Sequence, residues 1–215
     1  MTPLSCRAGR ASISLAGAPP HENLYHELVW RDLARQLIRP GPPEWAALRR
    51  ELARARAARG VSATERALAR ELAVLREQAV RAFGALEACA VCARGRPLPN
   101  GRFEGGFCCG APTEELFTEE EVAILALGGT TARDLRPRPA LAGCLFRGPT
   151  GCVLAPRHRP VVCIAHICRD LEHELALRGD LEALEARCAE LRRRFDALVE
   201  RRRKRLDARW LEELR

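Results

Sequence analysis

Cys89-Ala-Val-Cys92, the adjacent Cys108-Cys109, and Cys144, Cys152, Cys163 and Cys168 gather eight of the ten cysteines into one segment. Thiols at that density form either a disulfide framework or a metal site. A Cys-x-x-Cys pair lets both sulfurs reach one ion from a single turn, as in zinc ribbons and iron–sulfur sites. Adjacent cysteines point apart, so Cys108 and Cys109 suit two ions, or two corners of a polynuclear cluster, better than one tetrahedron. Eight thiolates equal the demand of two four-sulfur tetrahedra; six or seven with a histidine or carboxylate suit one larger cluster. Among the neighbouring His158, His166, Asp170 and His173, His166 stands between two of the cysteines. It is the candidate for an additional ligand or a donor to a thiolate, whereas His158 reads as a solvated loop residue. Arg159-Pro160 precedes Cys163, with an arginine able to fork onto a carboxylate or backbone carbonyls. Cys188 sits on an apolar helical seam and reads as a small core residue, and Cys6 stands apart near the N-terminus.

Compartment decides between the two chemistries. The first twenty residues contain no apolar run of the ~7–15 residues that an export signal needs, and no segment approaches the ~20 apolar residues of a membrane span. The expectation is a cytoplasmic chain with reduced thiols, hence a metal site holding zinc or an iron–sulfur cluster. The formal charge of +8 points toward acidic partners. Eight thiolates holding two divalent ions would lower it to about +4 and halve that argument.

Around the thiols, the sequence reads as helix. Aromatics are only 5% of a 215-residue chain that is 47% hydrophobic, so Leu, Ala and Val must build the core. Residues 1–20 read as a flexible tail and 21–88 as an N-terminal helical region. Within it, Leu24, Tyr25, Leu28, Val29, Leu33, Leu37 and Ile38 form a stripe before Pro40, and a second helix spans 44–58. A third opens at the capping box Ser62-Ala-Thr-Glu65 and runs to about Ala88 with heptad-like spacing. Periodicity then fades across the Gly- and Pro-rich region 89–170. One short helix interrupts it, announced by Thr118-Glu-Glu-Glu121 with Phe117 and Val122 as the staple pair; the acidic residues there fit the helix dipole. A helix resumes near Ile164 and stops at Gly179. Region 171–215 is then dominated by a long helix capped by Asp180, its seam formed by Leu181, Leu184, Cys188, Leu191, Phe195 and Leu198. The fold class is mainly α: a helical bundle or hairpin, with the long C-terminal helix packing back on 62–88, flanking a loop-rich, cysteine-ligated segment. The competing use of the seam is a homodimer through 180–215.

The ordered set Cys108-Cys109, Thr118-Glu-Glu-Glu-Val122, Cys144-Leu-Phe146, Gly151-Cys152, Arg159-Pro160-Val-Val-Cys163 and Cys168 resembles the CxxCC-type zinc- or iron-chelating domain family, often called YkgJ-like. It covers roughly residues 89–170. The resemblance implies a small metal- or cluster-binding domain, and a related cysteine pattern occurs in flagellin lysine methylases.

Enzymatic motifs are otherwise missing from the sequence: no P-loop, no Gly-x-Gly-x-x-Gly and no His-Glu-x-x-His occur, and no thiol is singled out as a nucleophile. The sequence points to a metal-binding protein whose centre is mainly structural and staples the segment 89–170. An iron–sulfur redox protein or cluster-dependent enzyme subunit is the alternative, and a zinc-stabilised nucleic-acid or protein-interaction module the third. Nucleic acid is the less favoured partner, because Glu and Asp alternate with Arg192–Arg194 and Arg201–Arg205 along the last helix and can neutralise them.

Overall fold

A computed structural model describes residues 43–82, 84–95, 110–137 and 143–214. The tail and stripe expected before residue 43, and the Cys108-Cys109 pair, lie outside these. Helix α1 spans Pro43–Ala57 and α2 spans Ala63–Arg81. Ser62 caps α2 through the full capping box: its hydroxyl accepts the Glu65 N–H, and the Glu65 carboxylate accepts the Ser62 N–H at 2.9 Å. The helix stops at Arg81, short of Ala88. After a break, Glu87–Ala93 forms the separate helix α3, which carries Cys89 and Cys92. The Cys-x-x-Cys pair is therefore helical where the sequence suggests a loop, because Glu87-Ala-Cys-Ala-Val-Cys-Ala contains no Gly or Pro to prevent it.

Thr113–Leu116 forms the one-turn α4 and Glu119–Leu127 forms α5. Val122, Ala123, Ile124, Leu125 and Ala126 are all buried, and a helix apolar all round must have protein on every side. Ile124 enters one core with Leu72, Leu175, Leu184 and Leu191. Val122 and Leu125 enter a second with Leu48, Leu52, Phe117 and Phe146. The staple pair Phe117 and Val122 lies inside this second core.

A two-stranded antiparallel hairpin follows, β1 (Arg147–Gly148) against β2 (Gly151–Cys152). Glycine is needed at both corners. A Cβ on Gly148 would stand 2.5 Å from Val153 Cγ1, and Gly151 has φ +119°, a region closed to most side chains. After a 3₁₀ turn at Pro156–His158 come α6 (Val161–Ala165), α7 (Arg169–Arg178) and α8 (Leu181–Glu213). Gly179 ends α7 in the left-handed conformation, φ 74°, the usual solution at that position. Asp180 precedes α8 but makes no side-chain cap; its carboxylate accepts from Arg178 Nε at 3.2 Å instead.

Helix α8 lies antiparallel to α2: Arg194 pairs with Glu71 and Arg205 with Glu65. Leu184, Cys188, Leu191 and Leu198 are buried in the core shared with α2, α6 and α7. The heptad seam is consumed within the chain, so a homodimer through those residues would have to unpack α2. Beyond the seam, α8 exposes Leu206, Trp210 and Leu211, and Leu214 just past its end is exposed too. No described helix is long and apolar enough to cross a membrane.

Candidate functional site

Six of the eight clustered cysteines lie among the described residues, and five pieces of chain carry them. Cys89 and Cys92 sit on α3, Cys144 just before the hairpin, Cys152 on β2, Cys163 within α6, and Cys168 at the N-cap of α7. Two hollows bring them together. The smaller, of about 80 Å³, is bordered by Cys89, Cys92, Cys163 and Cys168, with His166 and Arg159. The larger, of about 580 Å³, is bordered by Cys89, Cys144, Cys152 and Cys163, again with Arg159. Cys89 and Cys163 belong to both walls, so the two spaces adjoin across these residues. Among the described residues, no three His, Cys, Asp or Glu side chains already stand as one metal-ligating group.

Each wall is held by identifiable bonds. Helix α3 has only seven residues, too short to persist alone, and its N-cap Leu86 offers no side-chain acceptor. Glu174, from the middle of α7, supplies the missing cap: its carboxylate accepts the N–H groups of Glu87 at 3.1 Å and Ala88 at 2.8 Å. The Ala88 bond is the largest influence holding that carboxyl below its usual range, with Glu87 and Arg178 adding to it against burial. Cys89 in turn faces the hairpin, where a Cβ on Gly151 would lie 3.9 Å from its own Cβ.

Cys144 is 5% exposed and its sulfur accepts the Phe146 N–H at 3.5 Å, a bond that stabilises anionic sulfur. Thr113 secures the same stretch by accepting the Leu145 N–H at 3.0 Å. Phe146 is fully buried and packs against Phe117, 5.2 Å between ring centres, and edge-on against Trp45 at 6.4 Å. The Cys144-Leu-Phe146 triplet is thus anchored by its aromatic.

Arg159 forks onto backbone carbonyls, with Nε donating to Leu154 O at 2.9 Å and an Nη donating to Cys152 O at 3.1 Å. It clamps the strand carrying Cys152 to the loop that leads into α6. His166 follows the last residue of α6 and borders the smaller hollow.

Glu121 departs most from expectation. Thr118 caps α5 by accepting the Glu121 N–H at 3.3 Å, but the Glu121 carboxylate does not return the bond as a capping box would. It is buried, paired with the equally buried Arg76 of α2, and accepts the Val161 N–H at 3.0 Å where α6 begins. Burial pushes the Glu121 carboxyl up and the Arg76 guanidinium down, each opposed by the partner's charge. Glu121 therefore ties α5 to α2 and to the helix carrying Cys163, a role no local sequence signal announces. His158 also differs from the solvated residue expected: its Nδ1 lies 2.9 Å from the Thr130 hydroxyl, and burial lowers its pKa against the nearby Asp134.

Cys188 is a core residue. It is 3% exposed, its thiol donates to Ile164 O at 3.5 Å, and burial pushes its pKa up. Several cations of the basic runs are engaged within the chain. Arg192 donates to Ala165 O at the end of α6, Arg193 and Arg194 pair with Glu190, and Arg205 pairs with Glu65.

Comparison with known protein families, with curated proteins and with solved structures found no match.

Proposed function

We propose that this protein binds metal through its cysteine cluster, holding zinc ions or an iron–sulfur cluster whose role is mainly structural. One observation carries the reading: thiols from five separate pieces of chain border two adjoining hollows that share Cys89 and Cys163. Cysteines placed at random on a helical protein would not meet this way: Cys144 is buried and the other five described thiols of the cluster are half-buried around the same two spaces. The donor chemistry fits: soft thiolates select zinc and iron–sulfur clusters, Cys144 already accepts a peptide N–H, and His166 is at hand. The likeness of the cysteine order to the YkgJ-like domains supports the same reading, with Cys108 and Cys109 completing the set of eight.

In this reading Cys89, Cys92, Cys163 and Cys168 hold one ion or cluster edge beside His166. Cys144 and Cys152 serve the other. Bound metal cross-links α3, the hairpin, α6 and α7, which are short elements with little independent stability. The test is anaerobic purification with metal analysis and a visible spectrum. Stoichiometric zinc in a colourless protein, or iron with sulfide and sulfur-to-iron absorption, supports the proposal. A chain that takes up neither zinc nor iron from a reducing anaerobic buffer refutes it.

The second reading, an iron–sulfur redox protein or enzyme subunit, is favoured by the size of the larger hollow. About 580 Å³ falls in the ~300–1,000 Å³ range of small-molecule pockets and exceeds what an ion requires. Zinc without iron would remove it.

A further inference from the structure

We propose that the buried Arg76 is the internal counter-charge of the thiolate centre, and that the Arg76–Glu121 pair sets the position of Cys163. This rests on the metal reading above and adds to it a residue outside the ligand set. Arg76 is 1% exposed on α2, among the largest fully buried side chains. Its Nη is spent on Glu121 while its Nε, also buried, has no hydrogen-bond partner among the described residues. An arginine is a poor choice for filling a core, because its charge and donors must be compensated. Glu121 accounts for only part of that compensation.

The arrangement indicates where the rest lies. Glu121 holds the Val161 N–H at 3.0 Å, fixing the first residue of α6, and Cys163 follows two residues later on that five-residue helix. On the Arg76 side, Cys163 is near enough that a thiolate there would favour the charged guanidinium, as Glu121 does more strongly. Cys163 borders both hollows, so any ion or cluster using the shared wall brings anionic sulfur toward Arg76. Four thiolates on one divalent ion carry about −2, which must be met by nearby cations and donors. Arg76 meets it from inside the protein, where water does not screen it.

The experiment uses the full chain, loaded anaerobically with zinc and, separately, with cobalt(II) as a spectroscopic probe. Arg76→Met/Glu121→Gln removes both charges while leaving a carbonyl for the Val161 N–H. Deleting both partners leaves no uncompensated charge, so the fold is retained, as circular dichroism will show. Zinc affinity, read by chelator competition, is expected to fall roughly 10–100-fold, and the sulfur-to-cobalt absorption to shift. A folded double variant with wild-type zinc affinity and an unchanged cobalt spectrum overturns the proposal while leaving the metal reading intact. Wild-type protein that binds neither metal defeats both, and is recognised without any variant. Glu121→Gln gives a second, independent reading by thermal unfolding. It leaves the Arg76 charge uncompensated in the apo chain and matched in the loaded one, so the rise in Tm on adding zinc should exceed the wild-type rise. A rise no larger than wild type's overturns the counter-charge role.

Discussion

Removal of the Glu174 carboxylate should loosen one helix and leave the rest of the molecule in place. Helix α3 has seven residues and no cap of its own; its first two N–H groups are satisfied from α7 by Glu174. Hydrogen bonds to a charged acceptor contribute about 1.5–3 kcal/mol, while losing an N-cap costs about 0.5–2 kcal/mol. Glu174 keeps 21% of its side-chain surface in water, so the lower part of both ranges applies, about 1–2 kcal/mol. A tenfold change in an equilibrium corresponds to about 1.4 kcal/mol, so Glu174→Ala should raise the opening of α3 roughly 5–30-fold. Hydrogen exchange followed by mass spectrometry reads this directly: amides from Ala90 to Ala93 should exchange faster by that factor, with α2 and α8 unchanged.

The same bonds predict a pH dependence. The Glu174 carboxyl is held below its usual range, first by the Ala88 N–H. Its stabilisation is therefore complete above the ordinary carboxylate pKa of about 4.3 and is lost as pH falls through the depressed folded value. Glu174→Gln, a neutral acceptor, should flatten that acid limb in α3 without shifting other segments. Because α3 presents Cys89 and Cys92, zinc uptake by Glu174→Ala should weaken in parallel with the exchange. Equal exchange of α3 in wild type and Glu174→Ala would refute the reasoning, as would acceleration spread evenly over the chain.

Gly148→Ala places a methyl 2.5 Å from Val153 Cγ1 and should cost about 1–3 kcal/mol in thermal or urea unfolding, with Gly148→Ala/Val153→Ala recovering part of it. Cys188→Ala should lower stability by about 1 kcal/mol and leave the metal content of anaerobically purified protein unchanged; a lost equivalent would make Cys188 a ligand. Glu65 is nearly fully buried, and although burial raises its pKa, the bonds from Arg205 and Ser62 outweigh that and hold it below the usual range. Its contribution is present above about pH 4.3 and lost as pH falls further, so Glu65→Gln should reduce the acid sensitivity of urea unfolding.

Helix ends announced by short-range chemistry are where the sequence and the structure agree most closely. Ser62 and Glu65 satisfy each other's backbone N–H groups within four residues, and Gly179 needs only its own freedom to adopt positive φ, so both are visible locally. The antiparallel pairing of α2 with α8 also follows from two apolar stripes that must cover each other. Agreement fails where the deciding partner is remote in sequence. Asp180 fails for a local reason instead, its carboxylate going to Arg178 two residues away. The gap between α2 and α3 holds Gly84 at φ 63°, a breaker that heptad spacing hides, and α3 owes its start to Glu174, 86 residues from Ala88. Periodicity could not reveal a helix whose cap comes from another one.

The candidate site divides the same way. That the cysteines share a neighbourhood is legible from their density in one segment, and Arg159 is legible because Pro160 fixes the chain beside it. Glu121 is not, since a glutamate in a helix's first turn already has an adequate explanation in the dipole. Its burial depends on Arg76, 45 residues away on α2, and on the Val161 N–H. Taking two charges out of water costs several kcal/mol each, and an apolar pair could fill the same volume more cheaply. That such a pair stands in a core that is otherwise largely apolar therefore needs a reason beyond packing. In the reading proposed above, its contact with the start of the helix that carries Cys163 supplies one: the pair fixes that helix and keeps a cation near the thiolates a bound metal would gather.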